Sequence, residues 1–171
     1  SNPSRKQPDW PALEQLEGEL VLVRGGLQFK GKSHLSHAPN VLWQKLEVSV
    51  PALSEPVVRV SSEGHGPLPD MLASVNRSAL SPLMDGALSQ AQASGEATLT
   101  LALTVPVNQP EKSSVQGQLQ FNDNELQVLP GTPLLSRVKG QLRFDDVGFQ
   151  VKDLKAKSLG GDVSLQGGLS F

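Results

Sequence analysis

The chain has 171 residues, enough for one domain or for one segment of a larger repeating protein. Charged residues make up 19% and hydrophobic residues 37%, which is too apolar for a disordered chain and too polar for a membrane span. With 15 basic against 17 acidic residues and 4% aromatics, the composition speaks against nucleic-acid binding, and the absence of cysteine removes disulfides, thiolate nucleophiles and Cys-type zinc sites. The longest apolar run, Leu20-Val21-Leu22-Val23, falls far short of the roughly 20 residues that cross a bilayer. No secretory apolar region opens the sequence.

The first element in chain order is Val23-Arg-Gly-Gly-Leu-Gln-Phe29. The same pattern returns as Val115-Gln-Gly-Gln-Leu-Gln-Phe121, Val138-Lys-Gly-Gln-Leu-Arg-Phe144 and Leu165-Gln-Gly-Gly-Leu-Ser-Phe171. Positions one, five and seven are apolar and position three is glycine, so each copy reads as a strand with one greasy face. The glycine falls on that face, where it marks a bend or the close approach of something packed above it.

Between the first and second copies, Leu46, Val48 and Val50 alternate with Lys45, Glu47 and Ser49, and Val58 and Val60 flank Arg59. Pro69 suits the first position of a helix, and Leu68, Leu72 and Val75 follow helical spacing. Ser81 and Pro82 read as an N-cap and first position, with Met84, Ala87, Leu88 and Ala91 as the apolar stripe. Two short helices are therefore expected, at about 68–76 and 82–92. Ala97, Leu99, Leu101, Leu103 and Val105 then alternate with threonines. Turn chemistry follows at Asn122-Asp123-Asn124, Asp145-Asp146-Val147-Gly148 and Gly160-Gly161-Asp162.

This order predicts a mostly β chain with a short helical insert: a curved antiparallel meander sheet with one apolar face. It divides into N-terminal strands over 1–62, the insert over 63–93 and repeated strands over 94–171. Four neighbouring strands of this length present on the order of 440 Å² on one face, already near the roughly 300–600 Å² that is the largest apolar patch of a typical monomer. Something must cover it: the helices, the sheet curling on itself, or a lipid chain.

Polar candidates carry little chemistry. His34 and His37 are spaced i, i+3 without identifiable further ligands, so no metal site is expected. His65 stands between two glycines, but no Gly-x-Ser-x-Gly elbow accompanies it. Gly64-x-Gly66 lacks the third glycine of a dinucleotide loop. Asp123, Asp145 and Asp146 read as turn formers, and Trp10 and Trp43 as core or edge residues. No enzyme activity and no cofactor are expected.

Several segments occur in a telling order: Gly64-His-Gly-Pro-Leu-Pro-Asp-Met-Leu72, Val75-Asn-Arg-Ser78, Ala93-Ser-Gly-Glu-Ala-Thr-Leu-Thr-Leu101, Val105-Pro-Val107, Val115 to Val128, Pro133 to Gly140, and Leu154-Lys-Ala-Lys-Ser-Leu-Gly-Gly161. From about Glu63 to Gly161 this order resembles the YhdP branch of the AsmA-like proteins of Gram-negative bacteria. Asp162 departs from it, where the family often places Pro. The resemblance implies an internal segment of a very long periplasmic protein anchored in the inner membrane. Its strongly curved sheet would form an apolar groove that moves phospholipid between the inner and outer membranes. The lining would be Val23, Leu27, Phe29, Leu99, Leu101, Leu103, Val115, Leu119, Phe121, Val138, Leu142 and Phe144, as groove or as closed core. The partners would be phospholipid acyl chains and neighbouring segments of the same protein. The rival reading is a structural module with a closed core whose edges dock partners and maintain the envelope.

Overall fold

The structure, a computed structural model, describes residues 13–35, 38–54, 56–77 and 89–170. Alternating sequences become strands β1 (Leu13–Val23), β2 (Gly26–Leu35), β3 (Ala38–Val50) and β4 (Val57–Pro67). Helix α1 (Leu68–Arg77) follows, then the short β5 (Gln92–Ser94) and β6 (Glu96–Pro106). The chain ends in β7 (Ser114–Gln127), β8 (Leu135–Asp145), β9 (Gly148–Ser158) and β10 (Gly161–Ser170). All pair antiparallel in one 10-stranded sheet of order β1-β2-β3-β4-β6-β7-β8-β9-β10, with β5 pairing to the far part of β7. Among the described residues the sheet is open, with β1 and β10 as its outermost strands.

Turn chemistry explains most of the connections. Asp145 Oδ1 accepts hydrogen bonds from Val147 N at 2.9 Å and Gly148 N at 3.0 Å, closing the β8–β9 hairpin. Two expectations are corrected. The first repeat, Val23 to Phe29, is not one strand. Val23 ends β1, Arg24-Gly25 is the turn, and Leu27 and Phe29 lie on β2, because Gly25 at φ 74° makes a tight reversal easier than continuation. Asn122-Asp123-Asn124 is not a turn either. It is a bulge inside β7, with Asp123 at φ 63° and the register to β8 shifting there. Asn124, fully buried, makes the bulge stable: its Nδ2 donates to Ser94 O at 2.9 Å and Glu96 O at 3.0 Å, and its Oδ1 accepts from Asn122 N at 2.6 Å.

Helix α1 matches the expected 68–76 element. Residues 82–88 of the second expected helix lie outside the described residues, and 89–92 form a turn and the start of β5. Leu68, Met71 and Leu72 form the buried face of α1, which packs against β3, β4 and β5. Burying three such side chains is worth about 5–9 kcal/mol before entropy. They join Val41, Trp43, Ala97, Leu99, Val115, Leu119, Phe121, Val138, Phe144, Leu154 and Ala156 in one core.

Candidate functional site: the apolar face

Register places the apolar positions of successive strands side by side. One row across the sheet runs Ser33, Trp43, Gly64, Leu99, Leu119, Leu142, Val151, Gly167. A second runs Leu20, Phe29, Val48, Val60, Leu103, Val115. A third runs Ser62, Leu101, Gly117, Phe144, Phe149. One face is therefore apolar along these rows, set by a side-chain period of two that bulges interrupt, as between Gln44 and Glu47 on β3 and between Asn122 and Asn124 on β7.

The glycines of the repeat acquire a reason here. In an antiparallel pair the repeats of β7 and β8 meet head to tail around Leu119 and Leu142, so position three of one faces position seven of the other. Gly117 thus lies opposite Phe144, whose Cζ sits 2.2 Å from where a Cβ on Gly117 would stand. The ring occupies the space that glycine leaves. The same device recurs on β4, where the Trp43 ring comes within 3.0 Å of a Cβ position on Gly64. At Gly140, φ 123°, the space is taken by backbone instead, with Asp153 O 2.6 Å from the Cβ position.

Covering of the face is graded. Val115, Leu119, Phe121, Val138, Phe144 and Leu99 are buried, all on the central strands β6, β7 and β8. Leu101, Leu103, Leu142, Val48, Val60, Leu27 and Phe29 are half-buried. On β1 the face is bare, with Leu20 67% and Leu22 79% exposed. Of the sequence-derived lining, Val23 stands apart: it is half exposed at the hairpin and pairs with Gly26, beside the turn. Trp43, Val60, Phe149 and Val151 belong to the face although the repeat does not mark them. The alternation Phe149-Gln150-Val151 was the available signal for two of them.

The opposite face is polar, and its ion pairs cross strands at the surface. Lys30 lies 3.8 Å from Glu47, Lys32 3.1 Å from Glu17 and Lys45 3.2 Å from Glu63. His65 sits in β4 on this face, with Nε2 2.9 Å from Glu63 Oε1 and Nδ1 3.2 Å from Thr98 Oγ1. The hydrogen bond from Lys45, aided by the positive charge there and by His65, lowers the Glu63 pKa from its ordinary 4.5. This chain of groups lies on the polar strand surface, with Glu63 and His65 partly exposed. It offers no nucleophile elbow and no paired oxyanion donors. His34 Nδ1 is buried without a hydrogen-bond partner, and His37 and Trp10 lie outside the described residues. Among the described residues no cluster of His, Asp and Glu is arranged to hold a metal, and no helix is long and apolar enough to cross a membrane.

An open antiparallel meander with one continuous apolar face, capped by a helix at one end, defines a non-closing β-scaffold protein. Family comparison places it further. The family model described as YhdP protein matches residues 6–168, and the chain belongs to the YhdP family. It is similar to the intermembrane phospholipid transporter YhdP of Escherichia coli (strain K12), at 26% identity over 124 residues. That match covers 72% of this chain and 10% of the relative, so the chain spans about a tenth of that protein's length. No solved structure matches.

Proposed function

We propose that the apolar face is part of a groove that holds or conducts phospholipid acyl chains, in a periplasmic protein acting between the inner and outer membranes. The observation that carries this reading is the graded cover of a face otherwise continuous across the sheet. A closed core would bury Leu20, Leu22, Leu103 and Val60 as completely as it buries Val115. Instead the second row runs from Val115, buried on β7, through half-buried Leu103, Val60, Val48 and Phe29 to bare Leu20 on β1. An acyl chain needs an apolar track and little else, since each buried CH₂ contributes about 0.8 kcal/mol. The family and the named activity of the E. coli relative support the same cargo. No step requires a catalytic group, and the function is non-enzymatic.

Site-specific photocrosslinking tests it. A crosslinker at Leu103 or Val60 in the full-length protein captures phospholipid, and one at Thr100, on the opposite face, does not. Equal capture at both positions, or none at Leu103, would sink the proposal.

A structural role is the second reading, favoured by the core around Leu68, Met71 and Leu72. Under it the edges extend the sheet into neighbouring segments and Leu103 crosslinks to protein.

A further inference from the structure

At the end of the sheet where β7 turns into β8 and β9 turns into β10, two features meet that the groove does not use. The first is a set of bare apolar turn residues. Leu129 and Leu134 are each 50% exposed and Leu159 is 91% exposed. Both turns are held in shape. Thr132 N and Oγ1 both donate to Leu129 O, Gly131 at φ 82° follows Pro130, and Gln127 Nε2 donates to Thr132 O at 2.9 Å. The β9–β10 hairpin has Leu159 at φ 51° and Gly160 at φ 81° as its two central residues. Such a turn ordinarily takes Asn, Asp or Gly first, because a side chain with a Cβ is disfavoured there. A leucine in that conformation, pointing into solvent, gains nothing from the fold. The two turns are neighbours: Ser158 Oγ donates to Leu134 O at 3.3 Å, and Ser136 Oγ to Lys157 O at 3.2 Å.

The second feature is charge. Arg137 and Lys139 on β8 and Lys155 and Lys157 on β9 line a recess of about 540 Å³ together with Asp123 and Asp162, four cations against two carboxylates. Lys139 and Lys155 are directly paired across the strands, an arrangement that repels. The cations of β2 and β3 each meet a glutamate, but among the described residues none of these four comes within salt-bridge distance of a carboxylate. Lys157 is two residues from Leu159, and Arg137 three from Leu134.

We infer that this end of the sheet docks on an anionic lipid surface, with Leu159, Leu134 and Leu129 entering the headgroup layer and the four cations meeting phosphates. Exposed apolar tips flanked by basic residues are what an interfacial contact requires, each part being weak alone. These residues are separate from the groove rows, so the inference stands or falls independently of what the groove holds.

Flotation of the full chain with phosphatidylethanolamine vesicles, with and without phosphatidylglycerol, tests it. The chain binds the anionic vesicles and is released by raised salt. Lys155→Glu and Lys157→Glu each weaken binding about fivefold or more. Leu159→Asn weakens it on the order of tenfold, while its melting temperature is unchanged or higher, because Asn suits the left-handed turn. The groove variant Leu103→Gln still binds. A chain that ignores anionic vesicles, or one that binds equally after Leu159→Asn, overturns the inference and leaves an acidic protein surface as the patch's partner. Loss of binding in Leu103→Gln alone overturns it as well, by assigning flotation to the groove.

Discussion

Replacing Gly117 with alanine tests why the repeat carries glycine on its greasy face. The new Cβ would stand 2.2 Å from Phe144 Cζ, 2.6 Å from Cε1 and 2.8 Å from Cε2. Carbon atoms rest at about 3.5–4.0 Å, so the ring must move by more than an ångström. Phe144 is buried and belongs to the core, and although it lines a recess of about 520 Å³ with Gly117 and Phe149, the shift breaks its core contacts. Overpacking of this kind costs about 1–3 kcal/mol. For a chain of this size that lowers the melting temperature by about 2–4 °C per kcal/mol, or about 2–12 °C in all. In a Phe144→Leu background the clash is gone and the sign should reverse. Alanine is better than glycine in a strand by roughly 0.5–1 kcal/mol, so Gly117→Ala should then be neutral or stabilising. Thermal melts of the four proteins in this cycle supply the answer. Equal costs of Gly117→Ala in both backgrounds would refute the ring-over-glycine account.

Gly64→Ala should cost less than Gly117→Ala, under about 1.5 kcal/mol, since the Trp43 ring is 3.0–3.2 Å away and a small shift relieves the contact; denaturant midpoints rank the two. Asn124→Ala should cost about 2–4 kcal/mol, because the Ser94 and Glu96 carbonyls and the Asn122 amide lose their buried partner together; chemical denaturation measures it. Leu68→Ala should cost about 2–5 kcal/mol by opening a cavity under α1, while Leu103→Gln at the half-buried end should cost less and reduce co-purifying phospholipid, read by native mass spectrometry. The lowered pKa of Glu63 gives a small pH dependence. A depressed carboxylate contributes stability that is complete above its unfolded pKa near 4.5 and is lost as pH falls through the lower folded value. Melting temperatures from neutral to acid pH should therefore fall less steeply below 4.5 in Glu63→Gln.

The strands, their antiparallel order and the existence of one apolar face were legible in the sequence, because alternation and turn residues are local signals that pairing only amplifies. Helix α1 was legible for the same reason, from Pro69 and the spacing of Leu68 and Leu72. The misreadings came where local chemistry has two solutions. Arg24-Gly25 served as a hairpin turn and Gly25 not as a strand glycine, and Asn122 to Asn124 made a bulge because Asn124 found carbonyls on β5 and β6 to bond. Those partners lie roughly 30 residues away, beyond anything a local pattern contains. The candidate lining was legible as a class, but not its gradient. Only the packed structure decides that Val115 is sealed and Leu20 bare, since Val115 lies on the central strand β7 and Leu20 on the outermost described strand β1. The pairing of Gly117 with Phe144 likewise needed the register. The sequence by itself determined that the chain would build a sheet with one greasy face. Tertiary structure decided how much of that face is covered and which end stays open, because cover is a property of distant elements and not of the strand that needs it.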